Sequence, residues 1–363
     1  MKAEINVTSS AEPYRAEIGK SILEKSLGEI FSDHTTGRCF ILIDENVHRY
    51  HQQKIESVFN KLAVDRETMI VPQGENSKSV DTWSVVMDFL LTHEIRRNTP
   101  LVVMGGGVTG DLGGFAASAA LRGVPLIHIP TTLLAMVDSS IGGKTGINHA
   151  KGKNLIGAFY QPIRVIADID FLQTLPRGEW INGLSEILKY AAISDKEIFG
   201  DAKIFFEEDY NKIDPERLIR LIEKCVRIKA EIVAEDEFEG GVRAFLNYGH
   251  TFAHALEKAS DYSAMSHGEA VYLGMLAAEE LSRLTGMKVQ GNFIRKFRRL
   301  YQYRVSKEAL SSAELIQYMK SDKKRTNQHT RFVLLKDWQH PVLKTVTDDA
   351  LIRKAWQVVL DEL

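Results

Sequence analysis

A mixed α/β chain in two parts is what three features of the sequence predict: a parallel-sheet domain over residues 1–176 and a mainly helical domain over 177–363. First, short apolar runs alternate with helical patterns as far as Pro176, which is how parallel strands joined by right-handed crossovers read. Second, Arg38–Asp44, RCFILID, is a continuous apolar run ending in an acid, as expected of a strand covered on both faces. Third, the period beyond Pro176 is helical almost throughout. A length of 363 residues exceeds one compact core and suits two domains.

In chain order, residues 2–8 and 13–18 read as strands separated by a turn at Ser9, Ser10 and Pro13. The strand Arg38–Asp44 ends in Asp44-Glu45-Asn46, and Thr68–Pro72 is a second buried strand followed by the polar loop Gln73–Lys78. Asp81–Glu94 has helical periodicity. Leu101–Met104 is a strand that runs into three glycines, Gly105–Gly107, with a helix over Asp111–Leu121. Strands Leu126–Ile129 and Val165–Asp168 follow, with a loop rich in glycine and lysine between them. Helical segments are then expected at 179–193, 196–208, 215–235, 245–259, 267–286, 290–300 and 312–321, with one late strand, Thr330–Leu335. Ligands of an open α/β sheet gather at the carboxyl ends of its strands, where Asp44, Glu75 and Gly105 fall. The cleft between two such domains is the expected place for a small substrate.

Composition excludes some classes. Hydrophobic residues make up 44% and charged residues 26%, and the net charge is −2. Nothing in that balance suits a nucleic-acid or membrane surface. The N-terminus is polar, without the apolar core of a signal peptide, and no apolar run approaches the ~18 residues needed to cross a bilayer. Cys39 and Cys225 are the only cysteines, so a reduced cytoplasmic protein with two buried thiols is expected.

Three groups of residues promise chemistry. Gly105, Gly107 and Gly110 satisfy G-x-G-x-x-G between a strand and a helix, a turn whose bare N–H groups suit a nucleotide pyrophosphate. The acid usually found ~20 residues beyond that motif is missing, and the motif does not follow the first strand. A Rossmann-like rather than standard dinucleotide layout is therefore expected, with Asp44 on the ribose hydroxyls. Second, His250 and His254 are four apart and share a helical face; His267 opens the next helix, and Glu186 lies on an otherwise apolar face. A glutamate and two histidines, with positions left open, suit a zinc ion that polarises a substrate oxygen. Third come the cations Lys144, Lys153, Lys189, Lys229, Arg243, Lys323 and Lys324. Most lysines are simply solvated. Lys144 and Lys153 sit in glycine-flanked loops, however, and Lys189 shares a face with Glu186, so a phosphorylated acid is the expected guest.

The runs GGGVTGDLGGF, IPTTLLAMVDSSIGGKTGIN, GKNLIGAFYQP, DFLQTLP, SEILKY, GVRAFLNYGHTFAHALE, SHGEA and SDKK resemble 3-dehydroquinate synthases of the shikimate pathway, in order, from about residue 42 to 335. The resemblance implies an NAD- and divalent-metal-dependent lyase, with zinc or cobalt. It implies a phosphorylated sugar acid cyclised by transient oxidation, phosphate β-elimination, re-reduction, ring opening and aldol closure. Position by position it implies Glu186, His250 and His267 as metal ligands and His254 as a substrate-side histidine. It implies substrate contacts from Asp138, Lys144, Asn154, Lys189, Lys229, Arg243, Asn247 and Lys323, or less readily Lys324. Arg122 resembles an arginine lent across a homodimer interface. NAD contacts are implied for Asp44, Asn46, Glu75, Lys78, Gly106, Gly107, Val108, Asp111, Thr131, Thr132, Lys144, Lys153, Phe171, Thr174, Leu175 and Glu179. Ala253 stands where a glycine is usual, and residues 325–329 lack the glycine of many relatives. The competing readings are a sibling cyclase such as 2-deoxy-scyllo-inosose synthase, a metal-dependent polyol dehydrogenase that releases NADH, and a catalytically dead binding protein.

Overall fold

The computed structural model describes residues 2–10, 12–33, 37–207, 213–260, 264–305, 310–323 and 330–363. The chain opens with an antiparallel pair, β1 (Lys2–Val7) and β2 (Tyr14–Gly19). Then come α1 (Leu23–Asp33), β3 (Arg38–Asp44), α2 (Glu45–Lys61), β4 (Asp65–Val71) and α3 (Val80–Thr92). They are followed by β5 (Leu101–Gly105), α4 (Gly107–Ala119) and β6 (Leu126–Pro130). A hairpin of β7 (Lys144–His149) and β8 (Gly152–Phe159) precedes β9 (Arg164–Asp168). Seven strands form one sheet in the order β1-β2-β9-β6-β5-β3-β4, parallel except for β1. The strands β3, β5 and β6 are buried almost end to end, as their unbroken apolar sequences require of a sheet covered on both faces.

The remaining elements are α5 (Arg177–Ile193), α6 (Glu197–Glu207), α7 (Pro215–Glu235), α8 (His250–Ala259), α9 (His267–Leu284), α10 (Ser312–Lys323), the hairpin β10 (Arg331–Leu335) and β11 (Pro341–Thr345), and α11 (Asp349–Glu362). By compactness the chain divides into one unit of residues 1–179 with 214–238 and another of 180–213 with 239–363. The helix α7 follows the expected boundary at 176, yet it groups with the first unit and packs on β1 and β2. In the second unit α9 is buried along nearly its whole length, against α8, α11 and β10. Ser266 and Glu269 cap its start reciprocally.

Several elements differ from the sequence expectation for identifiable reasons. The helix α2 has a thin buried stripe, Val47, Ile55, Val58 and Phe59, in a polar segment, and Asp44 starts it by accepting from the amides of Asn46 and Val47. The loop between β6 and β9 contains the β7–β8 hairpin. Residues 245–259 split into a 3-10 turn, Val242–Asn247, and α8. Within 290–300 there is a 3-10 segment, Ile294–Leu300, rather than an α-helix. The strand β10 has a partner, β11, and the chain ends in α11. The helix α4 begins earlier than expected, at Gly107, and Gly113 within it serves close packing. A Cβ on Gly113 would lie 2.6 Å from Cγ2 of Val103 on β5. Gly113→Val should therefore cost about 1–3 kcal/mol, read as a lower urea midpoint. An unchanged midpoint would contradict the close approach of α4 to β5.

Candidate active site

In the first unit the sheet itself marks a site. The crossover from β3 passes through α2 to β4 on one side, and that from β5 passes through α4 to β6 on the other. Strand order thus reverses between β3 and β5, the point where open α/β sheets bind ligands. Ile43 pairs with Met104, so Asp44 and Gly105 end neighbouring strands side by side. Asp44 therefore stands beside the glycine turn, although it precedes the motif in sequence. Burial raises the pKa of its carboxyl, against the backbone amides that cap onto it. No side chain caps α4 at Gly106, which leaves the amides of its first turn, Gly107 and Val108, suited to an anion.

Around the turn lie two polar networks. Lys78 Nζ donates to Asp111 Oδ2 and to Asn154 Oδ1, each at 2.5 Å. Burial raises the Asp111 carboxyl, with Lys78 pulling the other way. Asn154 has a left-handed backbone, φ 53°, and its N–H donates to Asn148 Oδ1 at 3.0 Å. Asn148 donates from Nδ2 to Glu75 Oε1 at 2.7 Å and from its backbone to the Lys78 carbonyl at 2.8 Å. Lys153 Nζ lies 4.0 Å from the same Glu75 oxygen. Asn148 escaped the sequence reading; its one signal is a turn-favouring amide inside a strand. In the second network Thr131 donates to the Gly105 carbonyl and Thr132 Oγ1 accepts from Ala135 N, at the start of a π-turn, Ala135–Ser139. That turn carries Asp138, whose carbonyl and Oδ1 lie 2.7 and 3.1 Å from Lys229 Nζ.

The other expected residues of this unit are spread over several elements. Asn46 donates to Gln73 Oε1. Phe171 and Thr174 lie in a 3-10 segment, Ile169–Thr174, held by His51 Nε2 at 2.7 Å from Thr174 Oγ1; Leu175 ends it, and Glu179 lies in the first turn of α5. Lys144 begins β7 and is exposed. Arg122 is exposed, and both it and Leu121 have left-handed backbones, φ 66° and 50°. Two adjacent non-glycine residues in that region cost of order 1–3 kcal/mol each.

In the second unit α5 and α9 meet at Gly268. A Cβ there would lie 2.5 Å from Asn182 Cα. The Gly268 N–H donates to Asn182 Oδ1 at 3.2 Å, and its carbonyl accepts from Ser185 Oγ at 2.6 Å, with Tyr301 OH 2.8 Å from the same hydroxyl. The crossing brings Glu186 of α5 to His267 at the start of α9. Glu186 Oε1 lies 3.3 Å from His267 Nε2 and 3.6 Å from His250 Nε2, and the three ligand atoms fall within 4.8 Å of one another. Ligands about 2.0 Å from a tetrahedral zinc ion stand roughly 3.3 Å apart, so the donor set fits one divalent cation. His254, four residues from His250, lies beside this triangle rather than in it, its ring 5.8 Å from that of His250.

Charges around the triangle are graded. Glu186 is 1% exposed and pairs through Oε2 with Lys189, itself 2% exposed. Burial drives the pKa of His250 down to about 3. Burial opposes the charge on His267 too, but hydrogen bonds to Glu186 and Glu257 prevail and raise its pKa to about 10. In the same unit Arg243 is 1% exposed, and Asn247 Nδ2 donates to Glu239 Oε1 at 2.5 Å. The side chain of Lys323 and all of Lys324 lie outside the described residues.

Residues 68–182 match the model of the 3-dehydroquinate synthase N-terminal domain, and residues 183–325 match that of the C-terminal domain. The chain belongs to the 3-dehydroquinate synthase family. It is an enzyme of the sugar-phosphate cyclase group. Among solved structures it resembles a 2-deoxy-scyllo-inosose synthase complexed with carbaglucose-6-phosphate, NAD+ and Co2+, with 25% identity and a TM-score of 0.86 over 99% of this chain and 100% of that one. It also resembles the 2-epi-5-epi-valiolone synthase of Streptomyces hygroscopicus, which holds NAD+ and Zn2+, with 24% identity and a TM-score of 0.87 over 98% and 99%. The NADH-dependent butanol dehydrogenase A of Thermotoga maritima shares the fold at 11% identity, with a TM-score of 0.66 over 98% and 99%. Both parts of the expected architecture, the parallel-sheet domain and the helical domain, are those of this family. No helix among the described residues is long and apolar enough to cross a membrane.

The histidine charges give a measurable outcome. Burial disfavours charge on His250 and the two carboxylates favour it on His267, so in metal-free protein near pH 8 the extra proton is expected on His267. Binding zinc should then release about one proton, not two, because only His267 has one to shed. Titration calorimetry in buffers of different ionisation enthalpy measures that number; a release of two or none would contradict these assignments.

Proposed function

We propose that this chain is a 3-dehydroquinate synthase, converting 3-deoxy-D-arabino-heptulosonate 7-phosphate to 3-dehydroquinate and phosphate. The burial of three cations carries the reading: Lys189, Lys229 and Arg243 are 2%, 7% and 1% exposed. Buried cations cost several kcal/mol each unless anions meet them. Here Lys189 has Glu186 and Lys229 has Asp138. In each unit, buried cations of this kind suit the anionic groups of a phosphorylated acid better than an uncharged alcohol.

In this reading the amides of Gly107 and Val108 bind the pyrophosphate of NAD, Asp44 takes its ribose hydroxyls, and Glu75, Lys78, Asp111 and Lys153 hold the loops around it. When bound, NAD supplies a transient hydride acceptor, so that a substrate C–H bond becomes acidic and phosphate can leave. A Zn2+ or Co2+ ion held by Glu186, His250 and His267 supplies Lewis-acid polarisation of substrate oxygens. Lys189, Lys229, Arg243, Asn154, Asn247, Lys144 and Lys323 orient the substrate anions and hydroxyls. His254, next to a ligand but outside the triangle, moves the proton at its ring nitrogen. Arg122, exposed on its strained turn, reaches the substrate of a neighbouring subunit in a cytoplasmic homodimer. An active protein that sediments as a monomer would remove that assignment.

A sibling cyclase is the second reading, favoured by the likeness to inosose and valiolone synthases. Supplying the heptulosonate phosphate should release inorganic phosphate without net NADH. Phosphate release only from glucose 6-phosphate would favour the sibling, and stoichiometric NADH from either substrate would favour a dehydrogenase. The two helix-face histidines should also separate. His250→Ala should weaken zinc binding by more than the about 10–100-fold typical of losing an outer partner. His254→Ala should keep the metal and lose turnover. Equal metal loss in both variants would place His254 among the ligands.

A further inference from the structure

His267 is held from both sides. Its Nε2 faces Glu186 Oε1 and its Nδ1 faces Glu257 Oε1, each at 3.3 Å. Glu257 lies on α8, two turns after His250 and on the same face, and its side chain is nearly buried. His250 has the same arrangement with a weaker acceptor: its Nδ1 lies 3.3 Å from the Tyr248 carbonyl. In both rings an oxygen acceptor takes the Nδ1 side and keeps a proton there, so once a metal displaces the second proton of His267 both Nε2 lone pairs point at the common centre. An imidazole cannot ligate through a nitrogen that carries a proton, and its other nitrogen's partner decides which one does.

We infer that Glu257 is a positioning residue for the metal: it accepts the Nδ1 proton of His267, fixes that ring's tautomer and rotation, and makes Nε2 a stronger donor. The inference rests on the proposed metal site, and the geometry adds a reason for a carboxylate at this place. The ring of His267 is the most exposed of the three ligands, 36% against 13% for His250 and 1% for Glu186. It stands at the first position of its helix. A charged acceptor restrains it more firmly than a carbonyl would.

Zinc affinity of the full chain, measured by competition with a chromophoric chelator, tests this without recourse to turnover. Glu257→Gln keeps the size and one acceptor oxygen but removes the charge; Glu257→Ala removes both. Zinc affinity should fall in the order wild type, Gln, Ala, with the Ala variant weakened about 10–100-fold and Gln restoring part of the loss. Absorption of bound Co2+ should shift in the same order. Zinc binding within twofold of wild type in both variants would overturn the role of Glu257. If the Ala variant does not fold, the isosteric Gln variant decides alone: unchanged affinity and an unchanged Co2+ spectrum refute the inference. A wild-type chain that binds no zinc would refute the metal site itself, a separate failure.

Discussion

A carboxylate with almost no access to water governs the second unit. Glu186 is 1% exposed, and an isolated charge at that depth is several kcal/mol out of place. It is tolerated because three helices direct partners at it: Lys189 from its own helix, His267 from the first residue of α9, and His250 from the first residue of α8. Both histidines stand where their helices begin, so the helices converge at their ends. The contact of Gly268 with Asn182 sets the distance between α5 and α9, and the Ser185–Tyr301 pair secures the neighbouring carbonyl. A divalent cation answers the same need as the His267 proton, with twice the charge in the same small space.

The first unit obeys a different constraint. Backbone amides must stand bare at the turn into α4, and the polar groups around them must be tied down by other means. The hairpin and the 75–78 loop supply that through Asn148, which satisfies three neighbours at once.

Much of this was legible in the residues, and the failures share a cause. The strands β3 and β5 and the helices α7 and α9 follow from their periods, because burial on both faces, or on one broad face, dictates the pattern. The helix α2 did not show itself, since few of its side chains are buried. The β7–β8 hairpin read as a loop because it is rich in glycine and lysine. Among site residues, the glycine turn announced itself by composition. Asp44 is legible as a substitute for the missing companion acid from its place at the end of a strand, and only the pairing of β3 with β5 shows that it stands beside the glycine turn. Spacing alone drew His254 together with His250. The family resemblance separates them, and the position of α9 puts His267 rather than His254 in the triangle. Asn148 and Glu257 were invisible, because each acts by holding another residue and its type gives no sign of that.

The path of α7 has a consequence for how this chain can be divided. The backbone leaves the first unit near residue 179, returns for residues 214–238 and leaves again. The two family domains meet at residues 182 and 183, which assigns α7 to the C-terminal one. A gene cut at that junction would thus deprive the first unit of the helix that covers β1 and β2 and brings Lys229 to Asp138. The natural halves of the sequence are not the halves of the molecule, and fragments built to complement one another would have to exchange this helix.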